Sequence, residues 1–139
     1  MIYTSYFAKL KELEENNITP ISICGKEPDW YKGLQYKKLA PKYDFFMEWK
    51  KNHNNDYYIE HFQSEVLNHL DVIRTITELH LLLPEEIKEK IKSDICFSKD
   101  YHIALICYEK PSDFCHRHLV AEWLENAGFK CKEWDSNTI

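Results

Sequence analysis

The chain has 139 residues, 44% apolar and 14% aromatic, enough to bury a core within one domain spanning 1–139 and too apolar for a disordered chain. Its net charge of −5, with acidic and basic residues interleaved, disfavours nonspecific binding to nucleic acid. No apolar run approaches a membrane span, and "MIYTSYFAKL" lacks the basic-then-apolar pattern of a signal peptide, so a cytoplasmic protein with no membrane partner is expected. The five cysteines are odd in number and carry no secretion signal, so reduced thiols are expected rather than a disulfide framework. Lys37, Lys38, Lys42, Lys50 and Lys51 form a local basic patch that reads as a solvated helix face.

In chain order, "IYTSYF" is β-rich, and "KLKELEENN" has helical spacing with Leu10 and Leu13 on one side. "ITPISICG" reads as a buried strand ending at Gly25; its apolar run suits a parallel sheet covered on both faces. "KEPDWYKGLQYKKLAPKY" reads as loop plus short helix. From Asp44 the spacing turns helical, with Phe45, Phe46 and Trp49 in one stripe. After the polar break "NHNND", Ile59, Phe62, Val66 and Leu70 form a second. Asp71 is placed to cap a helix carrying Val72, Ile76 and Leu79, and Pro84 to open the amphipathic "EEIKEKIK". "YHIALICYE" is the strongest strand signal. A helix from about Asp113 to Ala127 follows, ended by Gly128, and "FKCKEW" reads as a last strand near an edge. With only three glycines and no repeat, no linker is visible. The alternation predicts an α/β fold: a small three-layer α/β/α domain with a short, mainly parallel, Rossmann-like sheet.

Such sheets bind ligands beyond the carboxyl ends of their strands. Ser5 and Tyr6, then Cys24, Gly25 and Lys26, then Cys107 to Glu109 are therefore expected to meet at one edge. In "ICYEKPSDFCHRH", Pro111 stops the strand and Ser112 or Asp113 can cap the next helix. With Asp113 as cap, Cys115, His116 and Arg117 fall in the first turn, where the free amides and dipole favour an anion or a thiolate. The candidate catalytic set is thus Glu109 as acid or base, Cys115 as nucleophile, His116 beside it, and Arg117 as bidentate grip on a phosphate or carboxylate. Ser5, Tyr6, Cys24, Gly25, Lys26 and Lys38 are candidate ligand-binding residues, with Trp30, Tyr31 and Tyr36 available to stack on a base.

Plainer readings compete: Cys107 as a small core side chain, His116 as a cover for the sheet, His118 as a surface residue, Glu109 and Arg117 as an internal ion pair, and the aromatics as core. Spacing removes several named chemistries. Cys115 is too close to Arg117 for a phosphatase-type loop, and Cys107 too far. The cysteines lack the paired short spacings of structural zinc, so no metal is assigned; a zinc site that adds Cys24 is the weaker alternative. No Walker loop, dinucleotide fingerprint or C-x-x-C motif is present, and no cofactor is indicated.

"LICYEKPSDFCHRHLVAEWL", with "TSYFAKLKEL" and "ISICGKEPDWYKGLQYKKLAPKYDFF", resembles the domain-of-unknown-function 488 family over nearly the whole chain. The resemblance implies a compact cytosolic α/β domain of bacteria, archaea and phages. It marks Cys107, Glu109, Cys115, His116 and Arg117 as signature positions, and Ser5 as the small polar end of the first strand. "LLLPEEIKEKIKSDICFSKD" departs from shorter members as an extra helix before the third strand. The resemblance implies no activity. The function expected is an enzyme acting on a small anionic, phosphorylated or nucleotide-like ligand. The alternative is a non-catalytic sensor or sequestering module that uses the same pocket.

Overall fold

A computed structural model describes residues 1–93 and 102–135. Five strands form one sheet: β1 (Ile2–Tyr6), β2 (Ile18–Ser22), β3 (Leu34–Gln35), β4 (His102–Cys107) and β5 (Cys131–Glu133). All pairings are parallel, in the order β3-β2-β4-β1-β5. The most apolar strand, β4, lies in the centre, where both of its faces need covering, and β5 takes an edge. Six helices accompany the sheet among the described residues: α1 (Leu10–Glu15), α2 (Tyr43–Asn52), α3 (Asn55–Glu65), α4 (Val72–Leu81), α5 (Glu85–Ser93) and α6 (His116–Asn126). None is long and apolar enough to cross a membrane.

The alternation along β4 divides the interior. Ile103 and Leu105 join Ile21, Ile23, Phe45, Phe62, Leu79, Val120 and Leu124 in the larger core, beneath α2, α3, α4 and α6. Ala104 and Ile106 join Phe7, Leu13, Ile18 and Tyr31 in a smaller core beside α1. These two cores on either side of one parallel sheet are the expected three layers.

Local chemistry sets the helix ends. The Asp71 carboxylate accepts from the Arg74 amide at 2.9 Å, the expected cap. Asn54 caps α3 by accepting from the Tyr57 amide, and His53 ends α2 with a φ of 53°. Gly128, at φ 92°, ends α6: its amide bonds to the Glu125 carbonyl and the Phe129 amide to that of Leu124, two carbonyls that the Ala127 amide also reaches. Two expectations shift. The two-residue β3 is too short to show an alternating pattern and is held by the Tyr36 amide on the Ser22 carbonyl at 2.8 Å. α6 starts at His116, because Lys110 to Asp113 form a turn closed by the Asp113 amide on the Lys110 carbonyl. Cys115, in extended backbone, is therefore the cap residue, with no side-chain cap from Ser112 or Asp113. The added helix before β4 is α5, Glu85–Ser93; residues 94–100 of that departure, with Cys96, lie outside the described residues.

Candidate functional site

The parallel register brings the strand ends together. Tyr6 pairs with Cys107, Ser5 and Ser22 both lie opposite Ile106, and the Ile23 amide bonds to the Ile106 carbonyl. Beyond the ends of β2 and β4 opens a cavity of about 750 Å³. Cys24, Gly25 and Lys26 contribute to it from the end of β2, and Cys107, Tyr108 and Glu109 from the end of β4. Cys115 and His116 contribute from the start of α6, and Pro41, Tyr43, Phe46, Met47, Trp49, Lys50, Tyr58 and Phe114 complete the lining. Trp49 lies 5.6 Å from Phe114 and 5.5 Å from Tyr58 between ring centroids, and Tyr58 meets Phe114 edge-on at 5.1 Å. The result is a continuous aromatic wall. Lys26 and Lys50 are exposed at the mouth, and Glu109 is half-buried. Burial, with a smaller contribution from the Glu109 carboxylate, holds the Tyr58 phenol well above its ordinary pKa, so it faces the cavity as a hydroxyl.

Cys107, Cys115 and His116 are all buried and converge at the base of the cavity. Their ligand-type atoms all lie within 4.8 Å of one another. The structure pairs the Cys107 and Cys115 sulfurs, although their Cα atoms stand 7.8 Å apart, wider than an ordinary disulfide spans; cysteine count cannot show that a strand end and a helix cap meet. The His116 ring is fixed from both sides. Its Nε2 lies 2.7 Å from the Ile23 carbonyl, which can only accept, so Nε2 carries the proton. The Nδ1 then holds the lone pair, 3.9 Å from Cys115 Sγ. Burial lowers the His116 pKa to about 4, against the opposing effect of the Ile23 carbonyl, so the ring is neutral.

Arg117 is fully buried and is not on the cavity wall. Its Nε and Nη2 each donate to a Glu133 carboxylate oxygen at 3.0 Å, and its Nη1 donates to Cys107 Sγ at 3.1 Å. Thr4 completes the network by donating to Glu133 at 2.7 Å. The plainer reading of Arg117 as one half of an internal ion pair holds with a different partner, Glu133 on β5 in place of Glu109, and the guanidinium braces the site from below rather than gripping a ligand. Tyr6 also lies off the cavity, its ring 5.6 Å from the guanidinium carbon, and Ser5 is buried away from it.

Trp30, Tyr36 and Lys38 likewise stand apart. Trp30 is exposed and packs edge-on against Phe7 on the α1 side, and Tyr31 is buried against the same ring. Tyr36 is a core residue whose hydroxyl donates to Glu78, the carboxylate that also pairs with Lys38. Of the sequence-derived candidates, the structure gathers Cys24, Gly25, Lys26, Glu109, Cys115 and His116 around one cavity, with Cys107. His118, expected at the surface, is half-buried.

Sequence reasoning missed the aromatic wall and Glu133. The signal for the wall was the Phe46–Trp49 stripe, which continues past the core; nothing local pointed to Glu133. It also missed Glu27, which orders the segment after β2. Burial alone would raise the Glu27 pKa, but the Lys37 ammonium at 2.6 Å and the Ser22 hydroxyl at 2.6 Å outweigh it and hold the carboxyl below its ordinary value. A depressed carboxyl contributes stability above the unfolded pKa and loses it as pH falls through the folded one. Glu27→Gln is therefore expected to cost about 1 kcal/mol at neutral pH. It should also flatten the acid limb of the stability curve below about pH 4.3, measured by urea unfolding at stepped pH. Unchanged slopes would show that the pair contributes nothing.

Residues 6–128 match the family model DUF488-N3a, described as the active DUF488-N3 subclade. The chain belongs to this DUF488-type family. The match takes in β1's last residue, the cavity and the whole of α6, and it agrees with the resemblance in the separated sequence blocks. No curated protein and no solved structure matches the chain.

Proposed function

We propose that this DUF488-type protein is a cytoplasmic enzyme acting on a small anionic, nucleotide-like ligand. The observation that carries the reading is the cavity at the carboxyl edge of the sheet. An aromatic wall shares the lining with two lysines, the cap of α6 and the Glu109 carboxylate, and a cysteine–histidine pair stands at the base. A ligand with a planar ring and a phosphate matches that division: the ring against Trp49 and Phe114, the anion toward Lys26, Lys50 and the first amides of α6. Lys26 and Lys50 take the role first assigned to Arg117, and Trp49 and Phe114 the role assigned to Trp30 and Tyr36. Glu109 is the group to give or take a proton.

The test is thermal shift of the full chain with nucleoside monophosphates, sugar phosphates and NAD-related compounds, followed by product analysis. A nucleotide is expected to raise the melting temperature, and Trp49→Ala to weaken its binding about fivefold or more, from lost stacking of ~1–3 kcal/mol. Glu109→Gln should keep affinity and lose product. If no compound stabilises the protein, the reading fails. If a bound nucleotide is recovered unchanged from the wild type, the sensor or sequestering role replaces the enzyme.

A further inference from the structure

We propose that Cys107 and Cys115, once reduced, bind a thiophilic divalent cation such as Zn²⁺ together with His116 Nδ1, leaving a fourth position open to the cavity. Linear spacing argues against a metal here, because eight positions separate the two cysteines. The folded arrangement is a separate observation: three donor atoms from the end of β4 and the start of α6 lie within 4.8 Å of one another, all buried. Two thiolates and one imidazole are a donor set that zinc takes up with a water or substrate in the remaining position.

Three further features fit an ion. The first is the imidazole. Its Nε2–H is spent on the Ile23 carbonyl at 2.7 Å, which turns the Nδ1 lone pair toward the sulfurs; metal-ligating histidines are oriented in this way by a carbonyl on the other ring nitrogen. The second is Arg117, whose Nη1 donates to Cys107 Sγ at 3.1 Å from a fully buried position. A guanidinium hydrogen bond is strongest to an anionic acceptor, so this contact suits a thiolate better than a disulfide sulfur. The third is charge. A divalent cation that displaces the two thiol protons exchanges two positive charges for two, so the loaded cluster stays neutral beside the Arg117–Glu133 pair.

The chemistry balances with a thiol reductant. Two thiols of the reductant supply two electrons and two protons to the Cys107–Cys115 bond, leaving two cysteine thiols and the reductant's own disulfide. Cation binding then releases the two thiol protons to solvent, and the neutral imidazole releases none. This assignment stands independently of the ligand proposed above, since it concerns only the base of the cavity.

The test uses the full chain, reduced with a phosphine and titrated with Co²⁺ as a spectroscopic stand-in for Zn²⁺. One equivalent is expected to give thiolate-to-cobalt charge-transfer absorption and the visible bands of a tetrahedral ion, and added imidazole should shift those bands by entering the open position. Cys115→Ala should weaken Co²⁺ affinity on the order of a hundredfold or more, a loss at least as large as that for removing an outer-shell partner; Cys24→Ala should leave it unchanged. Because Cys115→Ala removes a buried side chain, alkylation of the wild type supplies a second measurement. Zn²⁺ should protect Cys107 and Cys115 from iodoacetamide, as read by mass spectrometry, with Cys24 and Cys131 unaffected. Absence of charge-transfer absorption in the folded, reduced protein would overturn the site, as would its persistence in Cys115→Ala or protection confined to Cys24 or Cys131. Bands that ignore imidazole would overturn the open position.

Discussion

Replacing Arg117 by alanine is expected to lower stability by about 3 kcal/mol, near the low end for breaking a buried ion pair. The guanidinium is wholly buried and spends three donors: two on Glu133 and one on Cys107. Truncation leaves Glu133 facing an apolar gap, though its side chain keeps 22% exposure and can recover some water, which places the cost at the low end. The loss should reach across the sheet, because Glu133 also accepts from Thr4 and so ties α6 to β5 and β1. Arg117→Lys should rescue little, since an ammonium cannot reproduce the parallel two-bond geometry. The double variant Arg117→Met, Glu133→Leu should recover most of the loss by removing both charges together. Urea unfolding of the four proteins decides it. A loss under 1 kcal/mol for Arg117→Ala, or a double variant no more stable than the single, would show that the pair does not brace the fold.

That pair also marks where sequence reasoning stops. The strand ends could be read in advance because a parallel register follows from alternating strand and helix signals: Tyr6, Cys24 and Cys107 were expected at one edge, and Tyr6 pairs with Cys107 while Cys24 shares its cavity. The end of α6 was equally readable, since Gly128 supplies the left-handed backbone that the terminal turn requires. Side-chain partners follow a different rule. Glu109 is nearer to Arg117 along the chain than Glu133 is, yet the first turn of α6 leans over β1 and β5, so the distant carboxylate takes the pair. The aromatics show the same limit. Trp30 and Trp49 stand in equally aromatic stretches, and only the face of the sheet on which each segment packs separates an α1-side contact from a cavity wall. Composition records that rings are present; topology decides which of them meet empty space. Cys107 combines two readings held apart in the sequence, being buried in a strand and also at the base of the cavity.

The side chain behind that base gives the second large effect. Phe62→Ala is expected to cost about 3–5 kcal/mol, the usual loss for emptying a buried phenylalanine site, and to lower the melting temperature by on the order of 10 °C. Phe62 is fully buried on α3 and touches three rings: Phe45 edge-on at 6.5 Å, Tyr58 stacked at 6.1 Å, and His116 edge-on at 5.5 Å between centroids. It holds in place both a ring of the aromatic wall and the imidazole whose lone pair faces the sulfurs. Leu79→Ala is the control. Leu79 is equally buried in the same core but belongs to α4, away from the cavity, and its removal should cost about 2–5 kcal/mol. The two variants should therefore part in a readout that stability does not share. Near-ultraviolet circular dichroism, measured well below either melting transition, should fall for Phe62→Ala as Tyr58 and Trp49 lose their fixed geometry. For Leu79→Ala it should stay close to wild type. Equal spectra for the two would mean that the wall is held by its own ring contacts, and that Phe62 contributes volume to the core and nothing to the shape of the site.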